Sequence, residues 1–195
     1  MKLRKWRYHP FLIRAILLTL GVLVCAPGSS QQKKLVANEY AIKAALLVRF
    51  VSYVKWPEES FDDRENSNIV VMILGKDPVD DFFETHLKKK YSGRDLVIKR
   101  HRRYKPDLDL TRCHLLFIGK SEKRHIKEIL KTVSGRNILT IGEFDDFMES
   151  GGMINFVNIK HAINFEINQR ASSETGLRIR SDLLRRAHHV IRKNS

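Results

Sequence analysis

Apolar and polar residues alternate along two short segments near the C-terminal end of the chain. Residues 151–156 form the first segment and residues 162–168 the second, and in both every second side chain is apolar. A period of two is typical of half-buried strands, so the two segments predict a β-hairpin. Gly151 and Gly152 stand at its start, where glycine lets the chain leave a preceding helix in a backbone conformation that strains other residues.

Two polar residues of the second segment are candidates for a structural or regulatory role. Glu166 lies between Phe165 and Ile167 in a strand that we expect to be central, and Asn168 ends the segment. A carboxylate in such a strand must face solvent or find a donor, because a buried unpaired charge is costly. We therefore predict that Glu166 and Asn168 form fixed polar pairs, which orient the last strand and the residues after it.

Four further segments predict the other strands of a sheet. Residues 69–74 and 115–118 are continuously apolar, which suits strands that are covered on both faces. Residues 138–141 are predicted as the next strand. The segment 96–103 is apolar at its start and charged on both faces at its end, as expected at the edge of a sheet.

Apolar residues at three- and four-residue steps predict helices between these strands. The first helix begins at a capping Asn38 and ends near Val54. The others are predicted after Pro78 and at residues 121–133, 143–150, 168–175 and 181–191. The fold class is therefore α/β: a single-domain sandwich with a largely parallel central sheet, a C-terminal antiparallel hairpin and helices on both faces.

The N-terminal part of the chain has the pattern of a secretory signal peptide. Basic residues without any acid precede an apolar run from Ala15 to Val24, and small residues follow that run. The run is too short to span a membrane, which takes about 20 residues. We therefore predict a cleavable signal peptide at residues 1–28, a flexible lead-in at 29–37 and one folded domain at 38–193. The cleavage site and the attachment of a lipid to Cys25 stay open.

The charge of the chain limits its partners. It has 36 Lys and Arg residues against 22 Asp and Glu residues, a formal net charge of +14, and loss of the five basic leader residues would leave +9. In an exported protein such an excess points to anionic lipid head groups, acidic glycans or an acidic protein. Nucleic acid normally lies on the other side of the membrane, so we expect no nucleic-acid partner.

Basic residues are concentrated in two regions. Residues 88–105 hold nine Lys and Arg residues and one acid, and both a solvated edge strand and an anion-binding surface fit this region. Arg178 and Arg180 would share a face of an extended segment, which suits a bidentate grip on carboxylate or phosphate. Trp56 fits either a lid on the core or an aromatic anchor for a partner. Trp56, Arg178 and Arg180 are therefore the candidate contacts to a partner or ligand.

We find no residue pattern that predicts catalysis or metal binding. Gly119-Lys120-Ser121 looks like the end of a phosphate-binding loop, but strand residues precede it where that loop needs glycines. Neither His-x-x-x-His nor Cys-x-x-Cys occurs. The acids of residues 143–150 fit the solvated face of a helix. We expect a protein without enzymatic activity, cofactor or metal.

Cys113 is the single cysteine that remains once the leader is removed, so no intramolecular disulfide can form. We expect Cys113 to be a free, buried residue that opens a core strand.

Short motifs along residues 39–190 resemble the YfiR/HmsC-like family of exported bacterial proteins. Their order and spacing carry the resemblance, and Gly151-Gly152-Met153-Ile154, Phe156 and Phe165-Glu166-Ile167-Asn168 are the clearest matches. The other matches are Lys43-Ala44-Ala45, Phe50, Trp56-Pro57, Leu74-Gly75-Lys76-Asp77-Pro78, Cys113-His114-Leu115-Leu116-Phe117-Ile118, Ser121-Glu122 and Gly176-Leu177-Arg178-Ile179. Family members often pair the cysteine at position 113 with a second one, and residues 70–72, where that partner would be expected, contain none.

The resemblance implies a periplasmic, non-enzymatic regulator. Such a protein would bind the periplasmic sensor part of an inner-membrane signalling protein, either a diguanylate cyclase or a sensor kinase, and hold it inactive. The resemblance also implies control of cyclic di-GMP and biofilm formation, and a homodimer. The alternative is a periplasmic protein that binds a small anionic metabolite.

Overall fold

The computed structural model describes residues 28–61, 68–82, 90–91 and 93–192. Among the described residues, those from 37 onwards belong to one compact unit. The predicted signal peptide lies outside the described residues except for Gly28, and it stays a prediction.

Helix α1 spans Gly28–Tyr53, so it begins before the predicted cap at Asn38. Residues 29–37, which we predict as a flexible lead-in, lie within this helix. The glutamines, lysines, leucine and alanine of this stretch have high helix propensity, which lets the helix extend towards the N-terminus.

Nine strands follow one another along the described chain. They are β1 (Val54–Lys55), β2 (Ile69–Leu74), β3 (Leu96–His101), β4 (Leu115–Ile118), β5 (Leu139–Gly142), β6 (Ile154–Ile159), β7 (Ala162–Asn168), β8 (Arg178–Ile179) and β9 (His189–Ile191). Seven of them form one sheet in the order β3-β2-β4-β5-β6-β7-β9, and β1 pairs with β8 in a two-stranded ribbon. The neighbours in the large sheet are parallel except for the hairpin β6–β7. The predicted α/β fold class is confirmed.

Both faces of the large sheet are covered. Helix α1 packs Leu47, Phe50 and Val51 into the core on one face. On the other face, helix α2 (Ile126–Val133) contributes Ile126, Ile129 and Val133 to a second core. Successive residues of β2 and β4 enter the two cores in alternation, which explains why both strands are continuously apolar.

The hairpin places its aromatic residues against α1. Its turn contains Lys160 and His161, with φ angles of 49° and 63°, as in the two-residue turns that match the twist of paired strands. Phe156 lies opposite Phe165, and their rings are 5.8 and 5.1 Å from the ring of Phe50. This contact joins the hairpin to the helix.

The single helix predicted over residues 181–191 is wrong. After the short helix α3 (Gln169–Glu174), the chain forms β8, one helical turn, α4 (Ser181–Leu184), and then β9. Strand β9 runs parallel to β7, with Val190 opposite Ile167. Adjacent β-branched residues, Val190 and Ile191, favour this strand over continuation of the helix.

The short acidic helix predicted over residues 143–150 is also wrong, because this segment forms turns. Asp146 has a φ of 66°, which interrupts a right-handed helix. Phe144, Phe147 and Met148 are buried, as predicted.

Other boundaries differ less. Strand β3 lies at the predicted edge of the sheet but ends at His101. After Pro78 the structure describes a 3₁₀ helix, Pro78–Phe82, and the rest of the predicted helix lies outside the described residues. A 3₁₀ helix, Lys120–His125, precedes α2.

Candidate functional site

The order of the strands reverses beside β2. From β2 the chain moves outwards to β3 and then returns to β4, on the other side of β2. In open α/β sheets, ligands bind at the carboxyl ends of the strands next to such a reversal. The candidate site is therefore built from residues that follow β2, β4 and β5, among them Asp77, Lys120 and Glu143.

Lys43 of α1 reaches this end of the sheet and binds two glutamates. Its Nζ lies 2.7 Å from Glu143 Oε2 and 2.7 Å from Glu39 Oε1. The side chains of Lys43 and Glu143 are each only 9% exposed. Burial disfavours the charged ammonium, but the hydrogen bonds to Glu143 and Glu39 outweigh it and raise the pKa of Lys43.

The carboxyl group of Asp77 is hydrogen-bonded to that of Glu143, at the same edge of the sheet. Burial, the hydrogen bond to Glu143 and the charge of Glu143 together raise the pKa of Asp77 to about 7. Asp77 Oδ1 also accepts a hydrogen bond from the backbone N–H of Val79 at 2.9 Å. The carboxyl group of Asp77 therefore keeps its proton up to about neutral pH, because burial and the neighbouring charge of Glu143 both disfavour its ionised form.

Tyr40 completes this group, which we name the switch-point cluster: Tyr40, Lys43, Asp77 and Glu143. The Lys43 ammonium lies 4.7 Å from the centre of the Tyr40 ring, a cation–π contact. Burial, followed by the charge of Glu143, raises the pKa of the Tyr40 hydroxyl.

A cavity of about 220 Å³ opens beside the cluster, lined by Tyr40, Lys43, Lys120, Glu143 and Asn158 among others. Lys43 is bonded to two carboxylates, so its ammonium is not free to act as a base or nucleophile. The Lys43–Glu143 ion pair holds α1 against the carboxyl edge of the sheet, beside the carboxyl group of Asp77, whose protonation changes near pH 7.

The sequence prediction missed this cluster. In the sequence, Lys43 and Asp77 stand out only as parts of family motifs, and the pattern around Glu143 predicts a solvated helix face, whereas its side chain is only 9% exposed. Asp77 and Glu143 each follow a mainly apolar strand closely, and the carboxyl ends of neighbouring parallel strands meet at one edge of a sheet. That position was the available signal.

The β1–β8 ribbon brings together the three predicted contact residues. Arg178 lies directly opposite Lys55, and both side chains are exposed. Trp56 follows Lys55 in the chain. Arg180 lies 5.7 Å above the ring of Tyr53 and 3.4 Å from Asp182 Oδ2. We name the exposed side chains of Lys55, Arg178 and Arg180 the basic ribbon.

Trp56 itself is half-buried and packs against the core that contains α1. Its ring meets the His114 ring edge-on at 6.4 Å, and Nε1 is buried without a hydrogen-bond partner in the described residues. His114 is fixed by Val70 N–H, which donates to Nδ1 at 3.2 Å, and by Ser60 O, 2.9 Å from Nε2. Burial lowers the pKa of His114, so its ring is a neutral packing element.

The two polar hairpin residues differ in their contacts. Asn168 Oδ1 accepts the backbone N–H of Ala171 at 3.0 Å and caps helix α3. Glu166 is half-buried between Asn155 of β6 and His189 of β9, and its carboxylate has no hydrogen-bond partner in the described part of the chain. The strand that carries it, β7, is next to the edge strand β9 and is not central.

Gly151 and Gly152 have different roles before the hairpin. Gly151 has a φ of 99° and open space where a side chain would be. At Gly152 an added Cβ would lie 2.2 Å from the ring of Phe147. The first glycine therefore supplies a backbone conformation, and the second supplies room for a buried ring.

Cys113 is free and buried. Burial raises the pKa of its thiol to about 12, so it is unreactive at neutral pH. In the described residues, no group of three His, Cys, Asp or Glu side chains could hold a metal ion. The helices of that same part of the chain are too short or too polar to cross a membrane.

The fold and the switch-point cluster define a doubly wound α/β domain with a polar anchor at its strand reversal. The model of the YfiR/HmsC-like family matches residues 40–188 of this domain. The chain belongs to the YfiR/HmsC-like family.

Proposed function

We propose that this protein is a non-enzymatic periplasmic regulator that binds the periplasmic sensor part of an inner-membrane diguanylate cyclase and represses it. The observation that carries the proposal is the family membership, which covers residues 40–188 and thus nearly all of the folded domain. The secretory pattern of residues 1–28 supports the location. By the same resemblance we propose a homodimer.

We further propose that the basic ribbon contacts the partner. Lys55 and Arg178 face each other across the ribbon, and like charges in this position destabilise a strand pair. An acidic partner surface would relieve the repulsion between Lys55 and Arg178. Exclusion of water from the contact would strengthen the attraction between the opposite charges. Trp56 follows Lys55 in the chain and packs against the core, which anchors this end of the ribbon. To repress the cyclase, the protein must bind its inactive state more tightly than its active state.

Capture of the partner from detergent-solubilised membranes of the native host tests this proposal. The wild-type protein should enrich a membrane protein that carries a cytoplasmic diguanylate cyclase domain, and Arg178→Glu should lower its recovery about tenfold. Arg186→Glu is the matched control, because Arg186 is also exposed and the charge change is the same. Circular dichroism would verify that both variants fold.

Two results would contradict the proposal. One is the absence of any cyclase-domain protein among the captured membrane proteins. The other is equal loss of that protein with Arg178→Glu and Arg186→Glu, which would show a general effect of charge and not a contact of the ribbon.

A further inference from the structure

A basic hollow of about 710 Å³ lies at the carboxyl ends of β2 and β3. Its volume is in the range of small-molecule sites, about 300–1,000 Å³. Two separate segments supply its cations. Lys76 comes from the loop after β2, and Arg100, Arg102, Arg103 and Lys105 come from the end of β3 and the turn after it.

A buried carboxylate fixes the two walls of this hollow relative to each other. Glu122 is only 5% exposed, and its Oε2 accepts the backbone N–H of Tyr104 at 3.0 Å. Its Oε1 accepts the Ser121 hydroxyl at 3.1 Å, and Ser121 Oγ in turn accepts the backbone N–H of Lys76 at 3.0 Å. Gly75 N–H donates to His101 O at 2.8 Å. These hydrogen bonds hold the two segments that carry the cations in a fixed arrangement. A solvated edge strand does not need such an arrangement.

Cations outnumber acids in the lining of the hollow. In the part of the chain that the structure describes, Lys76, Arg102, Arg103 and Lys105 form no ion pair with a carboxylate. Two acids line the hollow, Asp107 and Asp109, and the carboxylate of Asp109 accepts hydrogen bonds from Thr111. Cations crowded together in this way repel one another, and a multiply charged anion would relieve the repulsion.

We propose that the basic hollow binds two or more phosphate groups at once, either on one ligand or on adjacent lipid head groups. Arginine forms bidentate hydrogen bonds with phosphate, and adjacent Arg102 and Arg103 together with Lys76 and Lys105 offer donors for more than one group. The site is separate from the basic ribbon, so it does not rest on the proposed regulatory function. The phosphates could belong to a soluble compound or to anionic lipid head groups, and the experiment separates these sources.

Isothermal titration calorimetry of the purified protein with inorganic pyrophosphate tests the soluble source. Co-sedimentation with phosphatidylglycerol vesicles, against phosphatidylcholine vesicles, tests the lipid source. The variant Arg102→Gln/Arg103→Gln should weaken binding about tenfold or more, since it removes two charged donors of hydrogen bonds to phosphate. The control Arg185→Gln/Arg186→Gln removes the same charge from another exposed arginine pair and should change the affinity less than about twofold.

Binding of pyrophosphate or of phosphatidylglycerol vesicles that depends on Arg102 and Arg103 supports the site and names its source. Absence of binding to both probes overturns the proposal. So does equal weakening in the two double variants, because it would reveal a non-specific effect of net charge. Equal binding of citrate and pyrophosphate would likewise overturn the preference for phosphate. Thermal unfolding of the variants checks that each is folded.

Discussion

The charge and protonation of the switch-point cluster depend mainly on three side chains, those of Lys43, Asp77 and Glu143. One buried ammonium pairs with Glu143 and Glu39, and the third carboxyl group, that of Asp77, keeps its proton up to about pH 7 because its pKa is raised. The three residues come from α1, the loop after β2 and the end of β5. They therefore connect the helix to two strands of the sheet.

Asp77 predicts a specific dependence of stability on pH. Its pKa is raised in the folded state from 3.8 to about 7, so folding favours the protonated form. The stabilising contribution is complete below the unfolded pKa near 4 and is lost as the pH rises through 7. Asp77→Asn keeps a neutral group and the acceptor for Val79 N–H. We expect it to raise the free energy of unfolding at pH 8 by about 1–2 kcal/mol, after allowance for partial solvent screening.

Urea unfolding at pH 4.5 and pH 8 measures this effect. The difference between wild type and Asp77→Asn should be small at pH 4.5 and should open between pH 4 and pH 7. The control Asp145→Asn, at an exposed position, should stay within about 0.5 kcal/mol of wild type at both values. A destabilised Asp77→Asn variant at pH 8 would mean that the ionised carboxylate is the form that the fold requires.

The contacts of this cluster join residues far apart in the chain, so the local sequence pattern indicates the positions of Asp77 and Glu143 but not their pairing with Lys43. Lys43 and Glu143 are 100 positions apart, and only the strand order brings them together. Cys113 was easier to predict, since a cysteine beside a continuous apolar strand is buried in most folds. The burial of Cys113 can be predicted from the residues next to it in the sequence. The Lys43–Glu143 pair depends on the order of the strands, which the sequence does not show directly.

The turn before the hairpin, which contains Gly151 and Gly152, can also be tested by measuring the stability of variants. Gly152→Ala should cost about 3 kcal/mol of stability, because its Cβ would overlap the fully buried ring of Phe147. Gly151→Ala has open space and meets only the strain of a positive φ, which costs about 1 kcal/mol. Urea unfolding of the two neighbouring variants compares a steric effect with a backbone effect at adjacent positions.

The roles of the two glycines would have to be revised if Gly151→Ala were the more destabilising substitution. A combined substitution Gly152→Ala/Phe147→Leu supplies a control, since the smaller side chain makes room for the new methyl group. It should recover part of the stability that Gly152→Ala loses relative to the single variant Phe147→Leu.

Periodicity predicted elements well where one pattern had one meaning. The runs at 69–74 and 115–118 are strands with the predicted boundaries, because both of their faces meet a core. The helix predictions for residues 181–191 and 143–150 are wrong for different reasons. In the first, apolar residues at helical spacing belong to one helical turn and to an edge strand. In the second, the inward-facing Phe144, Phe147 and Met148 are positioned by turns.

At the scale of the molecule, the basic ribbon and the basic hollow are two distinct basic surfaces. We propose the first as the contact for an acidic protein and the second as the site for phosphate groups. The sequence indicated the basic regions, but it could not tell a solvated edge from a hollow, because the bracing by Glu122 and Ser121 depends on three segments meeting. The family, in contrast, was recognisable from short motifs in order.

The most direct test of the regulatory function is the cellular level of cyclic di-GMP in the native host, measured by mass spectrometry. Deletion of the gene should raise it, because the cyclase would lose its repressor. The full chain should restore the low level, and a chain without residues 2–27 should not, since it would stay in the cytoplasm. An unchanged level after deletion, or restoration by the leaderless chain, would contradict a periplasmic repressor.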